Sequence, residues 1–185
     1  MSTDSSALSE ATEKSYGADI FVTVGTDHHP FDRLVAWADA WARDHPQARV
    51  IVQYGHGTAP DTAQGMVSLP AAGIRARMTA ADVVITQGGP GGIIDCRATG
   101  RLPIVVPRRH DLGEHVDDHQ VAFATHMAEV GRIALATDEA TFRQLLDRAL
   151  SDPDAFRVEP ENSPTASTVA AIDAEINRIA RRRRR

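Results

Sequence analysis

A parallel β-sheet wound with helices on both faces is the fold class this sequence predicts, and three observations carry the prediction. Short apolar runs rich in β-branched residues recur along the chain, among them DIFVTV at 19–24, DVVIT at 82–86 and LPIVV at 102–106. Stretches with apolar residues at helical spacing separate them, so strand and helix alternate. The runs are continuously apolar instead of alternating with polar residues, as expected of strands buried on both sides. Right-handed crossovers between such strands give an α/β, doubly wound, Rossmann-like domain over 18–150.

Each element follows from local chemistry. Residues 1–17 are rich in Ser, Thr and acidic side chains and are expected to be a disordered arm. The first strand ends at Gly25. Phe31, Leu34, Val35, Ala38 and Ala42 then line one face of a helix over 30–44, stopped by His45-Pro46. A second strand is expected at 49–53, a shorter one at 66–69, a short helix over 74–81 and a strand at 82–86. A glycine-rich turn leads into a helix starting near Gly92 and running to about Thr99. After the strand at 102–106 come a polar loop, a helix over 117–129 and a strand at 133–136. Phe142, Leu145, Leu146, Ala149 and Leu150 mark one more helix, closed by Ser151-Asp152-Pro153. The Pro- and acid-rich stretch 151–166 reads as a linker. Val169, Ile172, Ile176 and Ile179 put a narrow apolar stripe on a basic terminal helix over 167–185.

Composition bounds the function. The chain has 185 residues, 42% of them hydrophobic and 24% charged, which suits one globular domain and excludes wholesale disorder. No apolar run approaches the roughly 20 residues that cross a bilayer, and the first residues lack the apolar core of a secretory signal. The single cysteine, Cys96, has no internal disulfide partner. A soluble cytoplasmic protein is the expectation. Net charge is −5 and the last five residues are arginines, so the remainder stands at −10. A body that acidic argues against nucleic acid as a partner.

In an open α/β sheet, ligands lie at the carboxyl ends of the strands. Two loops there invite chemistry. The first, QGGPGG at 87–92, lets backbone approach a ligand closely and offers the free N–H groups of a helix N-terminus to an anion such as a diphosphate. Asp95, one turn further on, suits ribose hydroxyls. The same residues also suit a tight turn with no ligand, Asp95 complementing the helix dipole. The second loop, GTDHHP at 25–30, offers Thr26 to a phosphate and Asp27, His28 and His29 to acid–base work. Its alternative, which the spacing favours, is a helix cap made by Thr26 or Asp27 with Pro30 in the first turn.

Four motifs in order, FVTVGT…PFDRLV, VQYGH, VVITQGGPGGIID and GRLPIVVPRR…LGEHVDDHQ, resemble the glycosyltransferase family 28 C-terminal domain over about 20–131. Within that family the chain looks like the stand-alone, donor-binding subunit of two-part enzymes of the exopolysaccharide or lipid-linked oligosaccharide type. The resemblance implies the C-terminal half of a GT-B glycosyltransferase, with a UDP-sugar-binding domain over 18–150. It also implies an inverting hexosyl transfer to a lipid-linked acceptor, with UDP-sugar as co-substrate, no cofactor and no metal. A membrane-associated partner subunit would bind the acceptor.

Carried over by position, Gly25 and Thr26 would face the diphosphate, and Gln87, Gly89, Gly91 and Gly92 would form the turn beside it. Asp95 would take the place of a ribose-binding glutamate, and Asp118, His119 and Gln120 would contact the donor sugar. Pro107 and Arg108 would shape the same pocket. Gln87 stands where the family commonly has His, and Gly92 where it has Ser or Thr. These departures motivate a second reading, a non-catalytic sugar-nucleotide-binding or regulatory protein. The base that inversion requires would be His28, His29 or a group of the partner.

Other constellations are weaker. His115 and His119 at i, i+4, with His110 nearby, have zinc-hydrolase spacing, but the sugar-binding loop already accounts for them. Cys96 reads as a small buried residue and Trp37 as rim packing; His56 is either a cleft residue or a solvated one. The terminal helix is expected to dock on the partner subunit, with Arg178 and Arg181–Arg185 attracted to anionic lipid at the inner membrane face.

Overall fold

The structure, a computed structural model, describes residues 17–161. The expected arm (1–16) and terminal helix (167–185), like residues 162–166, lie outside them. The element order is β1 (Ala18–Thr23), α1 (Asp32–Asp44), β2 (Ala48–Gln53), β3 (Gln64–Met66), α2 (Ala71–Ala80), β4 (Val83–Gln87), α3 (Pro90–Ala98), β5 (Ile104–Val106), α4 (His119–Glu129), β6 (Ala134–Leu135) and α5 (Glu139–Ser151). The strands form one all-parallel sheet in the order β3-β2-β1-β4-β5-β6. Thr23, at the end of β1, lies level with Gln53 on one side and Thr86 on the other.

Both faces of the sheet are covered, which is why the strands read as unbroken apolar runs. Ile20 and Val22 point to one face with Phe31, Leu34, Trp41, Phe142 and Leu146, the layer of α1 and α5. Phe21, between them, points to the other face with Ile51, Val84, Met78 and Cys96, under α2 and α3. Ile93, Val105, Phe123 and Ala124 continue that layer beneath α4. Trp37 packs its ring 5.8 Å from that of Phe142, as rim packing requires, with the Arg33 guanidinium 4.8 Å above it.

Several boundaries differ from the sequence reading, and four of them have a clear local reason. β3 ends at Met66, because the Val67 carbonyl turns back to accept from Gly55 N–H and Gln53 Nε2 across the end of β2. α3 begins at Pro90, whose missing N–H and fixed φ suit the first helical position, so Gly91 and Gly92 lie inside its first turn. α4 begins at His119, because the Asp117 carboxylate takes the His119 N–H at 3.1 Å and closes a turn ahead of the helix. The expected linker does not start at 151. Residues 153–156 form a 3₁₀ turn that buries Phe156 in the core, and the Phe156 carbonyl accepts from Leu102 N–H at 2.9 Å. Further along, Glu161 binds Arg97 and Arg132 at 3.0 and 2.8 Å. Up to residue 161 the segment belongs to the domain.

Candidate functional site

The chain moves outward from β1 in one direction through β2 and β3, and in the other through β4, β5 and β6. The loops after β1 and β4 therefore part company over their carboxyl ends, which opens a crevice. Both loops singled out in the sequence meet there. Gly25 has φ +79°, a left-handed conformation, and a Cβ on it would lie 3.0 Å from Gln87 Nε2. Only glycine lets the two loops approach this closely.

The resulting cleft, about 680 Å³, is walled by backbone on one side and by apolar side chains on the other. Gly25, Thr26, Gln87, Gly89, Gly91 and Gly92 form the first wall; Val67, Leu69 and Ile74 belong to the second. His56 also lines the cleft, which places it among the cleft residues. Gln87 folds back so that its Oε1 accepts from Gly89 N–H, and Gln120 Oε1 accepts from Gly88 N–H at 3.1 Å. Pro90 has no N–H. The first-turn donors left to the cleft are those of Gly91 and Gly92, on a helix with no side-chain cap. A Cβ on Gly91 would meet nothing within 4 Å, so this edge is open. Two N–H groups and a helix dipole at an open edge make an anion-binding corner.

Gly92 is glycine for a packing reason. A Cβ there would come within 2.5 Å of the Thr86 hydroxyl, which is itself buried without a partner among the described residues. Asp95 lines the same cleft one turn along α3, with Arg75 Nη1 of α2 3.9 Å from it.

The remaining expected site residues are not brought into this cleft. Pro107, Asp118 and His119 line a second cavity of about 690 Å³ beyond the end of β5, together with Asp117 and Thr137. Arg108 and Gln120 stand in the wall. Gln120 Oε1 also takes the Arg108 N–H, at 3.2 Å. Arg108 is fully buried, and its guanidinium donates to the carbonyls of Val24, His29 and Glu114 at 2.9, 2.8 and 3.0 Å. Burial pulls its pKa down, against the nearby charges of Asp27 and Glu114. Arg108, expected among the donor-binding residues, is instead a buried tie between the loops after β1 and β5. Its Nη1 and Nη2 are committed to backbone carbonyls, while Nε is buried without a partner among the described residues.

The cap reading of the β1 loop is also corrected. α1 starts at Asp32 with Phe31 as its unassisted cap. Asp27 instead accepts from His29 N–H at 2.8 Å and from its Nδ1 at 2.6 Å, and lies 3.6 Å from His115 Nε2. Burial by itself would raise the pKa of Asp27; hydrogen bonds from His29 and the charges of Arg108 and His115 outweigh it and hold the carboxyl below its usual range. Asp117 behaves alike: burial opposes, and the hydrogen bond from His119 N–H with the His119 and His115 charges prevails.

The zinc-hydrolase spacing of His115 and His119 is not realised, because α4 begins at His119 and the two are not on one helical face. Both rings turn their Nδ1 toward the Asp117 carboxylate, at 3.3 and 2.7 Å. Among the described residues, the group with metal-type spacing is Asp27, His28 and His29. The sequence offers these residues as a cap or as acid–base groups; Asp-His-His in a glycine-led loop is the signal that points to a metal. Cys96 is buried, and burial pushes its thiol up to about 12, so it is the inert packed residue expected.

Residues 19–175 match the glycosyltransferase family 28 C-terminal domain. The chain belongs to this family. Over 79 residues the chain is 38% identical to the UDP-N-acetylglucosamine–N-acetylmuramyl-(pentapeptide) pyrophosphoryl-undecaprenol N-acetylglucosamine transferase of Rubrobacter xylanophilus, covering 40% of this chain and 22% of that protein. Among solved structures, the glycotransferase of kitacinnamycin aligns with a TM-score of 0.58 at 17% identity, over 97% of this chain and 44% of that one. The solution structure of ALG13 aligns with a TM-score of 0.52 at 17% identity, over 83% of this chain and 93% of that one. The family 28 domain thus spans less than half of the first two proteins and nearly all of the third. At these identities the structural likenesses show the fold, that of one half of a GT-B glycosyltransferase.

Proposed function

We propose that this domain binds the UDP-sugar donor of an inverting hexosyltransferase that acts on a lipid-linked acceptor together with a membrane-associated, acceptor-binding partner subunit. The observation that carries the reading is the corner where the β1 loop meets the start of α3, a helix start with no side-chain cap and with open space at Gly91. A diphosphate placed there lies along the helix dipole, beside backbone that glycine alone permits. Asp95 accepts from the ribose, and the apolar wall of Val67, Leu69 and Ile74 covers the base. The sugar is directed toward the cavity lined by Asp118 and His119.

In the reaction, the bond between the anomeric carbon and the diphosphate oxygen breaks as the acceptor oxygen bonds to that carbon. Negative charge gathers on the leaving UDP, and the fixed N–H groups of Gly91 and Gly92 stabilise it without reorganising. The acceptor hydroxyl loses its proton to a base from the partner or from the histidine pair of the β1 loop. In this reading UDP-sugar is a co-substrate and no cofactor takes part.

Among the described residues no helix is long and apolar enough to cross a membrane. In this reading contact with a lipid-linked acceptor falls to the partner, aided by the arginine-rich terminus. Co-expression with the neighbouring membrane-associated reading frame, followed by transfer assays with several UDP-sugars, tests the proposal. Transfer that needs both chains supports it. Transfer by neither combination, with UDP still bound, favours a sugar-nucleotide-binding protein without turnover.

A further inference from the structure

We infer that Asp27, His28 and His29 of the β1 loop, with His115 facing them from the β5 loop, form a binding site for a divalent transition-metal ion of the zinc type. None of these four residues lines either cleft, so the inference stands independently of the donor-binding reading.

Convergence is the first observation. Two imidazole Nδ1 atoms are aimed at one carboxylate oxygen, Asp27 Oδ1: that of His29 at 2.6 Å and that of His28 at 3.9 Å. The ligand atoms of the three residues all lie within 4.8 Å of one another. His115 brings Nε2 to 3.6 Å from the other oxygen of Asp27. Around a tetrahedral zinc ion with bonds of about 2.0–2.1 Å, ligand atoms sit roughly 3.3–3.5 Å apart. Asp27, His28 and His29 already stand near that spacing, and His115, which lies outside this group of three on the far oxygen of Asp27, would have to turn inward to complete it; three imidazoles with one carboxylate are a borderline donor set that suits zinc.

The second observation concerns what stands behind these ligands. His115 Nδ1 is buried and makes no hydrogen bond among the described residues, yet lies 3.3 Å from Asp117 Oδ1. A metal on Nε2 leaves the proton on Nδ1, where the Asp117 carboxylate receives it; this carboxylate–histidine–metal arrangement fixes the tautomer of a liganding histidine. Asp117 is itself held by His119 N–H at 3.1 Å. The β1 loop is equally fixed, since Asp27 takes His29 N–H and Arg108 takes the His29 carbonyl. His28, by contrast, has a side chain 78% exposed and makes no hydrogen bond among the described residues, so it can swing inward.

The opposing influence is the buried charge of Arg108 on Asp27. Two carboxylates, Asp27 and Glu114, face that charge, and neutral imidazoles add no positive charge. The bound ion would pin the loop after β1 to the loop after β5, the two lips between the clefts. His28 and His29 would then be ligands, and the base of the transfer reaction would come from elsewhere.

The test uses the full chain, freed of any affinity tag, with Zn²⁺ in competition against a chromophoric chelator and Co²⁺ as a spectroscopic reporter. The expected result is one equivalent of Zn²⁺ and the visible absorption of four-coordinate Co²⁺. His28→Gln, which removes an exposed ring with no part in the fold, lowers affinity about tenfold or more, as does Asp27→Asn. His126→Gln, on the surface of α4, changes nothing. Circular dichroism confirms that each variant is folded, and UDP titration of the same samples reads the donor site separately. The inference is overturned if wild type takes up no stoichiometric Zn²⁺. It is also overturned if His28→Gln and Asp27→Asn bind as wild type does, or if His126→Gln abolishes binding.

Discussion

The loop region at β4 and α3 and the loop region joining β1 to β5 sit side by side over one sheet edge, yet they are built from opposite materials. The first is backbone: Gly25, Gly89, Gly91 and Gly92 clear space, and a helix start supplies the donors. The second is side chain: Arg108 ties carbonyls together, and Asp27, His29, His115, Asp117 and His119 form a connected polar cluster. A surface made of backbone N–H groups has fixed charge at every pH. A surface made of imidazoles and carboxylates changes with pH, metal and partner. One region is therefore suited to holding an anion in a constant place, the other to setting how two loops stand relative to each other.

Breaking the side-chain region is expected to have the largest effect. Arg108→Met leaves four loop carbonyls, those of Val24, His29, Pro30 and Glu114, without their donor inside the fold. It is expected to cost about 3–5 kcal/mol and lower the melting temperature by roughly 10 °C, read by thermal denaturation. A shift within experimental error would show that the two loops are held by something else.

Next in size is a change in the backbone region. Gly92→Ser puts a Cβ against the Thr86 hydroxyl and is expected to cost about 1–3 kcal/mol by overpacking. Combining it with Thr86→Ala should recover most of the loss. If the double variant is no better than the single, the clash is not the reason for glycine at 92.

Asp95→Asn should leave stability unchanged and weaken UDP binding about tenfold, measured by calorimetry. Acid titration sharpens the comparison last. The carboxyls of Asp27 and Asp117 are depressed in the folded state, so their stabilising contribution is present above the ordinary carboxyl range and is lost as pH falls through their folded values. Unfolding followed from pH 6 to pH 2 should show wild type losing stability below about pH 4 more steeply than Asp27→Asn.

The difference between the regions also explains what the sequence disclosed. The alternation of strands and helices was legible because strands buried on both faces cannot hide their β-branched runs. The glycine corner was legible because QGGPGG announces itself locally, although Pro90 already begins the helix there. The grouping of Pro107, Asp118 and His119 in a cavity apart from the glycines was not, since only the path of the loop after β5 decides it. Nor was the role of Arg108, whose partners Val24 and His29 are remote in sequence. The return of residues 151–161 onto the domain rests on Phe156, one large apolar residue in a polar stretch that composition reads as a linker.

The central claim is that a nucleoside diphosphate binds at the start of α3. Backbone amide NMR of the full chain during titration with UDP, and separately with uridine, tests it most directly. The Gly91, Gly92 and Asp95 amides are expected to shift most with UDP, and Gly91 and Gly92 much less with uridine. Unchanged Gly91 and Gly92 signals at saturating UDP, or shifts confined to residues around the second cavity, would contradict it.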